Sequence, residues 1–456
     1  MQFDDTIVAI ATAYGSGAIG IVRISGKDTF EIVDKFFKAH NNKSINQQKH
    51  KTVNLGYIYD KDQIVDEVLI TKFVCPHSYT GEDLVEISCH GSTLILNRIV
   101  QIAINSGCVM AKAGEYTMRA FLNGKLDLSQ AEAIADLIAS KSEAARRVAI
   151  QQLRGGVSDE LMHLRAKLVN FVSLIELELD FSEEEVEFAS RKELLSLIIE
   201  IEQKITKLLK SFEYGNAIKN GINVAIVGEP NVGKSTLLNC LLNEQKAIVS
   251  EIAGTTRDTI EDTIVIDGIL FRFIDTAGLR HTSDKIETMG IERAIEMIKK
   301  SEVVLYVVDA QNDINSQLFE GIKHHLEGKK VIIVVNKIDK LQKYIAPNLE
   351  INFSVVEISA KNKINIQKLQ SAITEIVHKD TYSQEDIIIT NARHYQALQK
   401  SKEAAQNVIE ALENKISSEL LSFDIREMLH FLGQITGEVT NDEILGNIFK
   451  NFCIGK

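Results

Sequence analysis

Residues 228–235 read Gly-Glu-Pro-Asn-Val-Gly-Lys-Ser, a GxxxxGKS loop placed directly after the apolar, β-branched run 222–227. Its two glycines let successive backbone N–H groups turn toward phosphates, Lys234 reaches the β and γ oxygens, and Ser235 offers a hydroxyl to Mg²⁺. The order strand, loop, helix is what that chemistry requires, and a chance glycine turn would not supply it. Downstream, Asp275-Thr276-Ala277-Gly278 closes an alternating strand in which Leu270, Arg272 and Ile274 oppose Phe271 and Phe273. A carboxylate there holds Mg²⁺ through water, and the Gly278 N–H meets the γ-phosphate. Asn336-Lys337-Ile338-Asp339 follows the apolar run 331–335. Asp339 can accept from the N1–H and exocyclic amine of guanine, a donor pair that adenine lacks. Leaving that carboxylate unpaired in a closed pocket costs on the order of 1 to 3 kcal/mol, so the base is read as guanine. Ser359-Ala360-Lys361 ends a further strand-like run and seals the far side of the base.

The contact set for GTP is therefore Asn231, Val232, Gly233, Lys234, Ser235 and Thr236 of the first loop; Ser250, Glu251, Ile252, Ala253, Gly254, Thr255 and Thr256 of the switch-like loop; Asp275 to Gly278; Asn336, Lys337 and Asp339; and Ser359, Ala360 and Lys361. The hydrolytic groups differ from those of Ras-like switches, because Leu279 stands where a water-orienting glutamine would follow the DxxG glycine. Lys234 and Thr256 remain to act on the γ-phosphate. Glu287 is a carboxylate able to orient water through a bridging molecule, with a solvated charge at a helix start as the plain alternative. No arginine finger is evident. A monovalent cation held by the Asn231 side-chain oxygen and carbonyls of the loop 250–256 can supply its charge.

With 456 residues and 45% hydrophobic content, the chain is long enough for about three domains. It has no apolar run of about 18 residues and no signal-peptide pattern at its start, so a cytoplasmic protein that does not enter a membrane is expected. Five scattered cysteines, Cys75, Cys89, Cys108, Cys240 and Cys453, lack CxxC spacing and argue against a disulfide framework or zinc ribbon. Cys89-His90 with His77 matches no standard metal site, and packing is the better reading. A formal charge of −12 does not suggest a chain that coats nucleic acid, so any RNA binding must come from a local patch or a partner.

The elements that position these groups follow from changes in period. From 126 to 213 the sequence is proline-free and helix-patterned, and the pattern returns at 397–412 and 420–432. One helical domain interrupted by an inserted α/β domain is the simplest topology, two separate helical domains being the alternative. The first 120 residues read as α+β, with β-branched runs at 6–11, 19–24 and 84–88 and a helix-like stretch at 93–104. Gly15, Gly17 and Gly20 spell GxGxxG, yet the next residues, Ile21-Val22-Arg23-Ile24-Ser25, form a strand pattern and not the helix a dinucleotide site needs. A glycine-rich hairpin is expected.

The chain resembles the MnmE (TrmE) family of tRNA-modifying GTPases from Asp5-Thr6-Ile7-Val8-Ala9 to Phe452-Cys453-Ile454-Gly455-Lys456. Also similar are Gly20-Ile21-Val22-Arg23-Ile24-Ser25-Gly26, Ser78-Tyr79-Thr80-Gly81-Glu82-Asp83, Phe121-Leu122-Asn123-Gly124-Lys125-Leu126-Asp127-Leu128 and Gly254-Thr255-Thr256-Arg257-Asp258. Ala13-Tyr14 departs from the family's proline-rich entry to the hairpin. The resemblance implies a multidomain protein: an α+β tetrahydrofolate-binding and dimerisation domain at 1–120, an all-α helical domain at 121–215 and 380–456, and an inserted α/β P-loop G domain at 216–379. It implies that Arg23, Glu82, Lys125 and Lys456 contact the folate, that Asn231, Ser250, Ile252 and Thr255 surround K⁺, that Ser235 and Thr256 bind Mg²⁺, and that Glu287 orients the water. It also implies a homodimer and a flavin-dependent MnmG (GidA) partner, which carries FAD, in a heterotetramer or larger assembly. The implied reaction adds a (carboxymethyl)aminomethyl group to carbon 5 of the tRNA wobble uridine, using a one-carbon unit of 5-formyl- or methylene-tetrahydrofolate. Cys453 is a candidate catalytic thiol, set against an inert thiol near a chain end.

Two other functions share parts of the pattern. A ribosome-assembly GTPase of the Era or EngA type has the central motifs, but it should carry a basic RNA-binding domain, whereas residues 379–456 hold eight Lys/Arg against twelve Asp/Glu and no GxxG loop. The other is a folate-binding switch that regulates a partner.

Overall fold

The computed structural model describes residues 4–180, 190–243, 262–274, 291–311, 317–340, 353–377, 386–414, 418–440, 442–450 and 452–455. The strands among them are β1 Ile7–Ile10, β2 Ile19–Ser25, β3 Phe37–Ala39, β4 Val53–Asp60, β5 Gln63–Phe73, β6 Leu84–His90, β7 Val109–Met110, β8 Ile222–Val227, β9 Asp262–Ile266, β10 Ile269–Phe273, β11 Val303–Asp309, β12 Lys330–Asn336 and β13 Ser354–Glu357. The helices are α1 Thr29–Asp34, α2 Thr93–Ser106, α3 Glu115–Leu122, α4 Leu128–Ala139, α5 Glu143–Leu153, α6 Gly156–Asp180, α7 Arg191–Asn220, α8 Lys234–Asn243, α9 Ile291–Lys300, α10 Gln317–Ile322, α11 Ile366–Val377, α12 Ala392–Glu413, α13 Ser418–Thr436 and α14 Asp442–Phe449. Contacts divide the chain into two compact units, Met1–Ala135 with Gln152–Ile199 and Lys400–Lys456, and Asp136–Gln151 with Glu200–Gln399.

In the first unit, strict alternation in β2 buries Val22 and Ile24 on one face, where Ile99, Val100 and Ala103 of α2 meet them. The sheet runs β3-β4-β5-β6-β2-β1-β7, and β2 pairs antiparallel with both β1 and β6, in register Ile10↔Val22 and Ile19↔His90. The GxGxxG glycines thus lie at a hairpin that enters a strand, as expected, and no helix N-terminus follows them. Strands β3, β4 and β5 extend the sheet beyond the three runs read from the sequence. Polar residues conceal them: Asp66 and Lys72 sit at buried positions of β5, where Lys72 Nζ donates to the Asn46 and Gln48 carbonyls and lies 4.4 Å from the Phe30 ring centre. Farther along, Leu161, Leu164, Leu168 and Ile175 of α6 and Leu421, Ile425, Met428 and Leu432 of α13 are buried at helical spacing where the two helices pack together.

The second unit contains a six-stranded sheet ordered β13-β12-β11-β8-β10-β9, parallel except for the β9–β10 hairpin. All seven residues of β11 are buried, because Val303, Leu305 and Val307 join the core on one face while Val304, Tyr306 and Val308 join that on the other. Such double burial explains why the sequence shows continuous apolar runs there instead of alternation. Among the described residues no helix is long and apolar enough to cross a membrane.

Candidate functional site

In the second unit, the loop 228–233 carries the chain from the central strand β8 into α8, whose first residue is Lys234. Two backbone conformations shape it. Asn231 has φ +63°, and Gly233, at φ +98°, lies so close to Asn336 that a Cβ would stand 2.4 Å from its Nδ2. Lys234 Nζ donates to the Gly228 and Glu229 carbonyls at 2.9 and 2.7 Å, so the ammonium rests across the loop it is to serve. Val232 is buried, Ser235 half-buried at the first turn of α8, and Thr236 exposed beside it.

Asn336, buried at the end of β12, joins this loop to the base-binding segments. Its Nδ2 donates to the Val232 carbonyl at 2.8 Å, and its Oδ1 accepts from the N–H groups of Lys337 and Ala360 at 2.9 and 3.0 Å. Lys337 Nζ donates to the Asn231 carbonyl and, at 2.7 Å, to Asp309 Oδ2. Asp339 Oδ1 accepts from the buried Ser359 hydroxyl at 2.5 Å, while Lys361 is exposed. The structure therefore brings Asn231 to Thr236, Asn336, Lys337, Asp339, Ser359 and Ala360 to one end of the parallel strands. Asp309, which motif reading passed over, belongs with them. Burial works against its charged form, but the hydrogen bond from Lys337 and that from the Gln311 N–H prevail and hold the carboxyl below its ordinary value. Its only signal in the sequence is its place at the carboxyl end of a buried parallel strand, where ligands of open α/β sheets bind. Ser250 to Thr256, Asp275 to Gly278, and Glu287 lie outside the described residues.

A second cluster lies in the first unit. Arg23 of β2 extends between Tyr79 and Tyr116, with ring centres 5.4 and 5.6 Å from its guanidinium carbon. Its Nε and Nη2 donate to Glu86 Oε1 at 3.0 and 2.7 Å, and its Nη1 donates to the Gly455 carbonyl at 3.2 Å. The tail thus reaches Arg23 through its backbone: Ile454 bridges Ala113, and Gly455, at φ +94°, fits against the Ile10 carbonyl where a Cβ would stand 2.2 Å away. Glu82 accepts from Ser25 Oγ on Oε2 at 2.7 Å and from Arg119 Nη1 on Oε1 at 3.1 Å. The Lys125 stem runs beside Gly81, and its Nζ donates to the Pro76 carbonyl at 3.1 Å. Cys453 is exposed, and Lys456 lies outside the described residues. Glu86, Tyr116 and Arg119 fall in none of the motifs read from the sequence, and Tyr79, although within Ser78–Asp83, was not singled out there as a site residue.

Cys89 and His90, neighbours on β6, turn to opposite sides as strand residues must. The buried Cys89 thiol, pushed up to about 11 chiefly by burial, faces the Gly20 carbonyl, while His90 Nδ1 meets Asp66 at 2.7 Å. They take separate partners, and among the described residues no three His, Cys, Asp or Glu side chains are grouped so that they could hold a metal ion.

Residues 6–125 match the family model described as "GTP-binding protein TrmE N-terminus", and residues 128–453 match that of the "MnmE helical domain". The tRNA modification GTPase MnmE of Bacteroides thetaiotaomicron is 54% identical over 99% of each chain, and that of Flavobacterium johnsoniae 52% identical, again over 99% of each. The chain belongs to the MnmE family of tRNA modification GTPases. As in that family, a TrmE N-terminal domain, a helical domain and a P-loop G domain occur in one chain, and the chain is a GTP hydrolase. Among solved structures, the G domain of the T. maritima FeoB iron transporter aligns at 25% identity with a TM-score of 0.26, over 34% of this chain and 99% of that one.

Proposed function

We propose that this MnmE-family chain is a K⁺-dependent GTPase that works with an MnmG (GidA)-type flavoprotein, the carrier of FAD. Together they add a (carboxymethyl)aminomethyl group to carbon 5 of the wobble uridine of certain tRNAs, with the one-carbon unit supplied by 5-formyl- or methylene-tetrahydrofolate. The contact between the Arg23 guanidinium and the Gly455 carbonyl carries this reading, because it joins the tail to a cluster that otherwise has no reason to include it. The residue types fit a folate: Arg23, Lys125 and Lys456 suit the glutamate carboxylates, and Glu82, held by two donor groups, Ser25 Oγ and an Arg119 Nη1 shared between its oxygens at 3.1 and 3.4 Å, retains acceptor capacity for pterin N–H donors. In the G domain, Lys234 and the loop N–H groups hold phosphates, Ser235 and Thr256 hold Mg²⁺, Asn231 with the Ser250, Ile252 and Thr255 carbonyls holds K⁺, and Glu287 orients water. K⁺ would supply the positive charge that an arginine finger supplies elsewhere.

We assign the folate and dimerisation domain to 1–120, the helical domain to 121–215 and 380–456, and the G domain to 216–379. The return of the first compact unit at Lys400–Lys456, after the second, supports a discontinuous arrangement. The protein acts as a homodimer in the cytoplasm. Removing residues 453–456 should abolish tRNA modification in a reconstituted assay while GTP hydrolysis stays within about twofold of the intact chain. Equal loss of both activities would make the tail a structural element and remove the main support for the reading.

A further inference from the structure

Among the described residues Arg119 is the largest side chain wholly excluded from solvent. It sits on α3 between three carboxylates. Nε and Nη2 donate to Glu115 Oε1 at 3.3 and 2.8 Å, Nη2 also donates to Asp5 Oδ1 at 2.7 Å, and Nη1 donates to the Asp5 carbonyl and Glu82 Oε1 at 2.9 and 3.1 Å. All five N–H directions of a guanidinium are used. One positive charge against three negative ones leaves the cluster with a surplus of acceptor, whereas a purely structural interior is filled at least as well by apolar groups. That surplus is spent unevenly. Glu115 is completed by the Lys112 N–H on its other oxygen at 2.8 Å, and Asp5 is half-exposed. Glu82 is held on both oxygens, by Arg119 and Ser25, and unlike Glu115 it still shows part of its side chain at the surface.

We propose that Arg119 is the positioning residue of this cluster: anchored by Glu115 and Asp5, its guanidinium fixes the Glu82 carboxylate in the one orientation that receives the paired N–H donors of a pterin ring. The proposal rests on the folate reading given above. It adds a residue that touches no ligand and acts through Glu82. Anchoring matters because a carboxylate that must receive two donors together gains little if it rotates freely. A lysine at 119 keeps the charge but has three donors on a flexible stem, and it cannot span Glu115, Asp5 and Glu82 together.

The test uses the full chain and two probes, 5-formyltetrahydrofolate and p-aminobenzoylglutamate, the latter lacking the pterin. Arg119→Lys should weaken the first probe at least about tenfold, the scale of one charge-assisted hydrogen bond, and change the second by less than about twofold. In a Glu82→Gln chain, adding Arg119→Lys should change the affinity for 5-formyltetrahydrofolate by less than about twofold, since the carboxylate it serves is gone. Should Arg119→Lys fail to fold, Asp5→Asn loosens the same guanidinium from a half-exposed position and should weaken only the pterin-bearing probe, by about two- to fivefold. Equal weakening of both probes, an undiminished Arg119→Lys effect in the Glu82→Gln chain, or no effect from the folded variants would overturn the positioning role. If the wild-type chain bound neither probe, the folate reading itself would fall and take the proposal with it.

Discussion

Asn336→Ala tests whether the phosphate loop and the base-binding segments form one unit. The side chain is 2% exposed and makes three hydrogen bonds, to the Val232 carbonyl and from the Lys337 and Ala360 N–H groups. A typical bond contributes about 1 kcal/mol net, and a buried group left without a partner costs about 1 to 3 kcal/mol. The Val232 and Ala360 bonds are buried and the Lys337 bond is partly open to solvent, so the total loss should be about 3 kcal/mol. That loss divides between two measurements. What the loops have already ordered without nucleotide appears as lower stability in urea unfolding, and what nucleotide must reimpose appears as weaker binding of a fluorescent GDP analogue. If all of it fell on binding, the affinity would drop by about two orders of magnitude. Asn336→Asp separates the two sides of the junction, because it keeps the acceptor for Lys337 and Ala360 but sets a carboxylate oxygen against the Val232 carbonyl. A summed change in stability and binding below about 1 kcal/mol for Asn336→Ala would refute the idea that this residue couples the two loops.

Asp339→Asn keeps an acceptor for the Ser359 hydroxyl but loses the carboxylate, and should weaken GTP by about one to two orders of magnitude in equilibrium binding. An unchanged GTP affinity would remove Asp339 from the base pocket. Replacing K⁺ by Na⁺ should lower kcat at least about tenfold with little change in nucleotide affinity, and Asn231→Ala should reproduce much of that loss in K⁺. Equal steady-state turnover in both salts would eliminate the ion site. Asp309 has a carboxyl held below its ordinary value of 3.8, so the stability from its pairing with Lys337 is fully present above that value and is lost only as pH falls below it. Asp309→Asn should therefore destabilise the chain equally at pH 8 and pH 5 in urea unfolding, and a difference already shrinking at pH 5 would contradict the held-down carboxyl.

The G-domain sheet was legible because physics leaves a strong trace in its residues. Parallel strands covered on both faces must be apolar throughout, so β8 and β12 stand out as runs, and the ligand loops follow at their carboxyl ends. The edge of the first unit's sheet was harder to read. In β4 and β5 one face is open, and Val53, Leu55 and Leu69 are exposed where a strand pattern would lead one to expect polar residues. The buried Lys72 reverses the usual sign of the other face. The second cluster was legible only in part: Arg23, Glu82 and Lys125 came from the family resemblance, while Glu86 and Arg119 required coordinates. Nothing local marks a buried arginine, because the carboxylates that make it tolerable are 4, 37 and 114 residues away.

The ring pair around Arg23 gives this chain an optical property. With no tryptophan and ten tyrosines, its intrinsic emission comes from phenol side chains alone, and two of the ten flank one guanidinium. Tyr116 donates to the Arg23 carbonyl at 2.6 Å and Tyr79 shares a hydrogen bond with Thr117 at 2.8 Å, so both rings are fixed relative to the cation between them. Any event that moves the guanidinium changes the electrostatic surroundings of both chromophores together. Occupancy of this cluster is thus open to measurement by fluorescence on the unlabelled protein, and a single tryptophan introduced at Tyr79 would be the sole indole in the chain.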